Sequence, residues 1–262
     1  MKRILIFSTL VLFVLVSTAL AKEQRYKRSS AGKFDSYVLA LSWQPAFCET
    51  KPDKRECETQ TPDRYDATNL ALHGLWPNRN TDKKHTFGFC GVKKSIRKLD
   101  NTAKWCKMPY PKLTNETKND LAESMPGYAS CLELHEWYKH GTCSGLTADK
   151  YFSIANYLVA NFAATAMGQY ISASAGSMVN EDDLYSEFEK DFGAGSRDSL
   201  KLHCVNVDGA NMLVEVRVYL AHPIPERGEL KDLLVSPPPH EEGNCPQTFF
   251  IDEAGLSGAP DD

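Results

Sequence analysis

Between Ser130 and Cys143 the chain reads Ser-Cys-Leu-Glu-Leu-His-Glu-Trp-Tyr-Lys-His-Gly-Thr-Cys and gathers His135, Glu136, Lys139 and His140 into one short run. A solvated helix face would be satisfied by a Glu136–Lys139 pair and would leave two histidines without a purpose. Two imidazoles, an ammonium and a carboxylate instead suit proton transfer around a developing anion. Histidine gives or takes a proton near neutrality, and a fixed cation offsets charge that appears only as bonds break. The zinc motif His-Glu-x-x-His needs its ligands four apart. Here the histidines are five apart, about 140° from facing each other on a regular helix, and a repelling cation, Lys139, holds the ligand position. A zinc site is therefore not expected.

A second candidate lies upstream in His73-Gly74-Leu75-Trp76-Pro77-Asn78. His73 ends a short strand before a glycine turn, a frequent place for a working side chain. By itself this histidine reads equally as a structural hydrogen bonder, and Trp76 before proline as ordinary packing.

These residues need elements to hold them. Ser130 with Glu133 has the form of a capping box, and Gly141 that of a left-handed closing residue, so a helix of about ten residues is expected between them. On it Glu136 lies beside Lys139 and His140. The alternating stretch Phe34 to Trp43 reads as a strand ended by Pro45, Cys48 to Asp66 as a charged loop, and Asn69 to His73 as a short strand. Thr147 caps a helix over Ala148 to Ala164 and Asn180 caps another over Glu181 to Phe192. Leu200 to Val207 and Met212 to Leu220 form a hairpin about Asp208-Gly209. Ser236 to Pro239 is an extended connector, and Gln247 to Asp252 a last strand. Strands and helices follow no βαβ order, so the fold class is α+β.

Met1 to Ala21 has the form of a secretory signal. Lys2 and Arg3 lead, Ile4 to Val16 is apolar, and Ala19-Leu20-Ala21 is the cleavage site. Residues 22–262 then form a single domain, with 22–33 and 255–262 flexible. The net charge is −4. Without Lys2 and Arg3 it is −6, from 28 basic and 34 acidic residues. Such a chain lacks the broad positive footprint of a stoichiometric nucleic-acid binder, although a local basic pocket can still meet an anion. Lys93, Lys94, Arg97, Lys98, Lys104 and Lys107 form the densest basic region and read mainly as solvated surface. Asn115-Glu116-Thr117 fits a glycosylation sequon. Eight cysteines behind a secretory signal imply four disulfides in an oxidising compartment. Cys48 and Cys57 would close a short polar loop. The sequence does not fix the remaining pairs, and no Cys-x-x-Cys pair argues for zinc.

Taken together, His73-Gly74-Leu75-Trp76-Pro77 and His135-Glu136-Trp137-Tyr138-Lys139-His140-Gly141-Thr142-Cys143 resemble the two active-site segments of the ribonuclease T2 family of secreted enzymes. The arrangement of Cys48, Cys57, Cys106 and Cys131 resembles that of its bacterial periplasmic members. The resemblance implies an α+β fold with a central antiparallel sheet flanked by helices. It implies the disulfides Cys90–Cys143 and Cys204–Cys245, which with Cys48–Cys57 leave Cys106 to Cys131. It also implies cleavage of RNA by transesterification, without metal or other cofactor, through a 2′,3′-cyclic phosphate. His140 would be the base and His73 the acid. Lys139 and Glu136 would stabilise the phosphorane, His135 would hold the phosphate, and Trp76 would stack on a base. Asn78 replaces an aspartate that helps several members choose the base, so broad specificity is expected. The protein is expected to be a periplasmic or secreted monomer acting on RNA, with no lasting membrane association. The alternatives are a non-catalytic member that binds RNA or protein, and a zinc hydrolase.

Overall fold

The computed structural model describes residues 30–83 and 86–255. The expected signal segment and the residues after Gly255 lie outside them. Six strands form one sheet: β1 (Ser36–Ser42), β2 (Ala71–Asn78), β3 (Ser177–Asn180), β4 (Leu200–Val207), β5 (Ala210–Ala221) and β6 (Thr248–Ile251). Their order is β2-β1-β5-β6-β3, with β4 on the other edge of β5. The sheet is antiparallel, as expected, with one parallel contact where β6 meets β5 at Phe250 and Met212. The main helices are α1 (Gln44–Thr50), α2 (Asn115–Ser124), α3 (Leu132–Lys139), α4 (Ala148–Ala163), α5 (Ala166–Ala173) and α6 (Glu181–Phe192). The fold is thus α+β.

Several elements form for reasons visible in the sequence. Thr147 Oγ1 accepts from the Lys150 amide to start α4, and Asn180 Oδ1 accepts from the Asp182 amide to start α6. Asp208 and Gly209 both adopt positive φ, 48° and 96°, as a tight hairpin between right-twisted strands requires. α1 runs into the stretch from Cys48 expected to be a loop, and Pro45 stands in its first turn rather than only ending β1.

The core lies between the sheet and the helices. β1 is buried along almost its whole length. Leu39, Leu41, Leu75, Val216 and Val218 join Tyr151, Phe152, Leu158 and Phe162 of α4 in one apolar cluster. Tyr151 donates its hydroxyl hydrogen to the Leu75 carbonyl at 2.6 Å and so fixes α4 to β2. The four disulfides are Cys48–Cys57, Cys90–Cys143, Cys106–Cys131 and Cys204–Cys245, with Cα–Cα distances of 5.3, 4.9, 5.2 and 4.9 Å. Not all of the arm expected to be loose is so: the Gly32 amide donates to the Cys143 carbonyl at 2.8 Å.

One buried carboxyl lies outside any site. Asp252 is 0% exposed. Burial, with the charge of Glu49, pushes its carboxyl up to about 7. Its favourable contribution is therefore present below the ordinary value of 3.8 and is lost as the pH rises to about 7. Asp252→Asn is expected to stabilise the fold by on the order of 2–4 kcal/mol above neutrality and to give no such gain in acid. Denaturant titrations at both pH values check this, and equal gains at both would contradict it.

Candidate active site

The site is built on one face of the sheet, across β2, β1 and β5. β1 contributes small or short side chains there: Ser36, Val38, Ala40 and Ser42. Val38 stands between Trp76 and Tyr219, Ala40 between Gly74 and Arg217, and Ser42 between Ala71 and Glu215. Long side chains from the outer two strands therefore meet above β1. The opposite face of β5, with Val216, Val218 and Leu220, belongs to the core.

A bulge aims the first histidine. Ala40 pairs with Gly74 but Leu41 with Leu72, so His73 is the extra residue on β2. A regular strand would put His73 on the side of Leu75. The bulge turns it to the side of Trp76 and Asn78. The expectation that β2 ends at His73 is thus corrected, since the strand runs on to Asn78. The His73 and Trp76 rings are 5.1 Å apart, edge to face.

α3 carries the second set, and its ends differ from expectation. Ser130 is not the cap. It closes a preceding 3-10 turn and gives its hydroxyl hydrogen to Glu56. Cys131, in a left-handed conformation and tied to Cys106, occupies the cap position with no side-chain cap. Glu133 is turned inward and buried, and that burial pushes its carboxyl up to about 7. At the other end Gly141 is not left-handed. A Cβ there would come within 2.4 Å of the Trp137 ring and 3.0 Å of Tyr151, so packing demands the glycine.

The helix stops at Lys139, and His140 has φ −110° and ψ −57° before a 3-10 turn. This departure overturns the inference from five-residue spacing: the His135 and His140 rings are 5.9 Å apart. His140 stacks on Trp76 at 5.3 Å with 28° between planes. Trp76 thus stands with His73 at its edge and His140 against its ring, while the Arg217 guanidinium lies 5.5 Å from it. The indole expected to stack on a base is already engaged by these two neighbours.

Glu136 is fully buried and accepts the Trp76 indole N–H at Oε2, 2.7 Å away. Its other oxygen, Oε1, lacks a hydrogen bond and faces His135 Nε2 at 3.8 Å. His135 is held through Nδ1 by Asp100 and lies 4.6 Å from the Trp105 ring, which itself donates to Asp100 at 3.2 Å. Lys139, His140, Trp76, Asn78, Phe87, Arg217, Tyr219 and Glu241 line a cavity of about 200 Å³. A larger one, of about 570 Å³, has His73, Trp105, Lys54 and Glu215 in its wall. Arg217 borders both cavities.

The two central histidines differ in charge. Burial would push the His73 imidazole down, but the hydrogen bond and charge of Glu215, with Glu136 nearby, outweigh it and hold His73 above its ordinary value. His73 Nδ1 is 2.6 Å from Glu215 Oε2, and 34% of the His73 side chain stays open to solvent. Burial and the charges of Lys139, His135 and His73 push His140 well below its ordinary value. His73 is therefore the ring held toward its protonated form and His140 the one held neutral, in the same cleft.

Sequence reasoning missed four contributors. Asp100 and Trp105 lie in the segment read as basic surface. Glu215 and Arg217 lie in a strand read only for its apolar alternation, where two charges two residues apart were the available signal. The structure also forms a cluster not expected from spacing. His135, Glu136 and His140 offer ligand atoms within 4.8 Å of one another, the metal-like grouping found among the described residues. Lys139 adjoins it, and its charge opposes a cation there.

Known proteins agree with this architecture. Ribonuclease I of Escherichia coli is 33% identical over 241 residues, covering 86% of this chain and 88% of that protein. A ribonuclease of Aeromonas hydrophila is 30% identical over 159 residues, 60% of this chain and 58% of that one. In fold, the self-incompatibility-associated SF11 ribonuclease of Nicotiana alata superposes with a TM-score of 0.56 at 18% identity, over 84% of this chain and all of that chain. A variant of ribonuclease MC1 solved with 5′-GMP gives 0.55 at 18% identity, over 83% of this chain and all of that chain. The model of the ribonuclease T2 family matches residues 34–230. With the two histidine-bearing segments converging on one cleft, the chain belongs to the ribonuclease T2 family and is an endoribonuclease.

Proposed function

We propose that the protein cleaves RNA by metal-free transesterification, with His140 as base and His73 as acid. The observation that carries this reading is the placement of two imidazoles against Trp76 in one cleft, His73 with its Nδ1 held by Glu215 and His140 beside Lys139, with surroundings that favour a proton on the first and none on the second. Neutral His140 takes the proton of the ribose 2′-hydroxyl. That oxygen bonds to phosphorus as the bond to the 5′-oxygen breaks. The leaving oxygen receives its proton from His73, whose Nε2 is left free by the Nδ1 contact to Glu215. Lys139, with Glu136 at its side, offsets the charge on the equatorial oxygens, and His135, oriented by Asp100, helps hold the phosphate. The products are a 5′-hydroxyl and a 2′,3′-cyclic phosphate, which water attacking in place of the 5′-oxygen opens to a 3′-phosphate. The need for a 2′-hydroxyl selects RNA over DNA.

The nucleobase enters the smaller cavity beside Trp76. Its walls carry the Asn78 amide, the Arg217 guanidinium, the Tyr219 hydroxyl and the Glu241 carboxylate. Donors and acceptors of both charges support broad base preference. A panel of dinucleoside phosphates is expected to be cut with modest differences, and exclusive cutting after one base would contradict this. Four disulfides support work in an oxidising compartment, the periplasm or outside the cell. No helix of the described residues is long and apolar enough to cross a membrane.

The reading also fixes a pH profile. The rate falls in acid as His140 is protonated, below its ordinary value of 6.5. It falls in alkali as His73 loses its proton, above 6.5. The plateau in kcat/KM should therefore include the ordinary imidazole value of 6.5, with the acid limb below it and the alkaline limb above it. RNA digestion in excess chelator tests the metal-free assignment. Full activity is expected, and activity abolished by chelator and restored by zinc would make the His135–Glu136–His140 cluster a metal centre.

A further inference from the structure

We propose that Glu215, backed by Arg217, is the positioning residue for the acid in this site. Glu215 grips His73 by Nδ1, so that the other ring nitrogen faces the substrate with a proton on it. The inference rests on the catalytic reading above.

The geometry is specific. Glu215 is 8% exposed, at the centre of the sheet, and its two oxygens are divided between two partners. Oε2 meets His73 Nδ1 at 2.6 Å, and Oε1 accepts from Arg217 Nε at 2.6 Å. A buried carboxylate stranded in this way is costly unless both oxygens are occupied. Two features of the backbone make the contact. The bulge at His73 turns its ring toward β5, and Ser42, between Ala71 and Glu215 on β1, is small enough to let the two side chains meet. The arrangement repeats a device used around metal-bound imidazoles, where a carboxylate on one nitrogen fixes the tautomer and orientation of the ring. Here it serves a proton instead.

The titratable and charged groups around His73 come from three elements. Glu215 and Arg217 project from β5, Glu136 and His140 from α3 and its end, and His203 on β4 pairs with Glu215 and shares the larger cavity's wall with His73. Their effects on His73 oppose one another. The carboxylates Glu215 and Glu136 favour its protonated form, and Arg217 disfavours it. Glu215 itself is held down at about 2: burial acts against this, but its bonds to His73 and the charge of Arg217 prevail. It therefore stays ionised across the working range, and a neutral Glu215 does not complicate the pH profile.

The test compares wild type with Glu215→Gln, Glu215→Asp and Arg217→Gln by the NMR titration of the His73 ring and by pH profiles of cleavage. Glu215→Gln should lower kcat by about 10–100-fold, the usual cost of losing such a supporting carboxylate, with little change in KM. Its alkaline limb and its His73 titration should both move to lower pH. Arg217→Gln should move the His73 titration the other way, and Glu215→Asp should restore part of both the titration and the rate. A His73 titration unmoved by Glu215→Gln, or activity lost evenly at every pH, would overturn the proposal. If wild-type enzyme failed to cut RNA, the catalytic reading would fall, yet the NMR titrations would still decide whether Glu215 controls His73.

Discussion

Replacing His73 or His140 with alanine is expected to lower kcat for RNA cleavage by about 10²–10⁴-fold, the usual contribution of a positioned acid or base. The two losses should differ in pH dependence rather than in size. Without His140 the acid limb disappears, because nothing remains whose protonation stops the reaction there. Without His73 the alkaline limb disappears, because that limb reports loss of the proton given to the leaving oxygen. The double variant should be little worse than the more damaged single one, since the two groups serve one transition state and their losses do not add. His73→Ala also removes one partner of Glu215, so its urea midpoint is measured alongside. Retention of more than about a tenth of wild-type kcat in either single variant would remove that residue from the chemistry by the same scale.

Gly74→Ala is expected to damage folding and catalysis together. A Cβ at residue 74 would lie 2.0 Å from Glu136 Oε2 and 2.4 Å from Trp76 Nε1, the two atoms of the hydrogen bond that ties α3 to β2. Neither atom can withdraw cheaply. Glu136 is fully buried, and Trp76 is held between His73 and His140. Relief must break the bond or push α3 away from the sheet, which separates the two histidines. Overpacking of this kind costs about 1–3 kcal/mol, and the carboxylate then buried without its donor adds to it. A lower urea midpoint with a fall in kcat of at least tenfold is expected, on the scale by which small misplacements of catalytic groups act. An unchanged midpoint with wild-type kcat would mean that α3 and β2 are not held together through this contact.

Much of the site could be read in the sequence because its chemistry is dense and local. His135, Glu136, Lys139 and His140 are adjacent on one helix, and the capped helices α4 and α6 announce themselves through Thr147 and Asn180. What escaped reading depends on backbone departures and distant pairing. The spacing argument failed for His140 because the helix ends at Lys139 and His140, at φ −110°, is the cap that leads into the 3-10 turn rather than a regular helical position. The capping box failed because the disulfide-bonded Cys131 took the cap and Ser130 turned to Glu56. Glu215 reaches His73 from 142 residues away, through strand pairing and a bulge that no local pattern encodes. Asp100 was invisible for a different reason: its neighbours Arg97, Lys98 and Lys104 gave the segment the look of solvated surface, and only the fold turns its carboxylate to His135.

The central claim is that His140 and His73 move two protons across one phosphate without help from a metal. Phosphorus NMR of a dinucleoside phosphate incubated with the enzyme in excess chelator tests it most directly. The account predicts that a 2′,3′-cyclic phosphate signal grows at the rate seen without chelator, and that the 2′-deoxy substrate stays intact. A linear phosphate monoester appearing from the start with no cyclic species, or a deoxy substrate cut at a comparable rate, would contradict it.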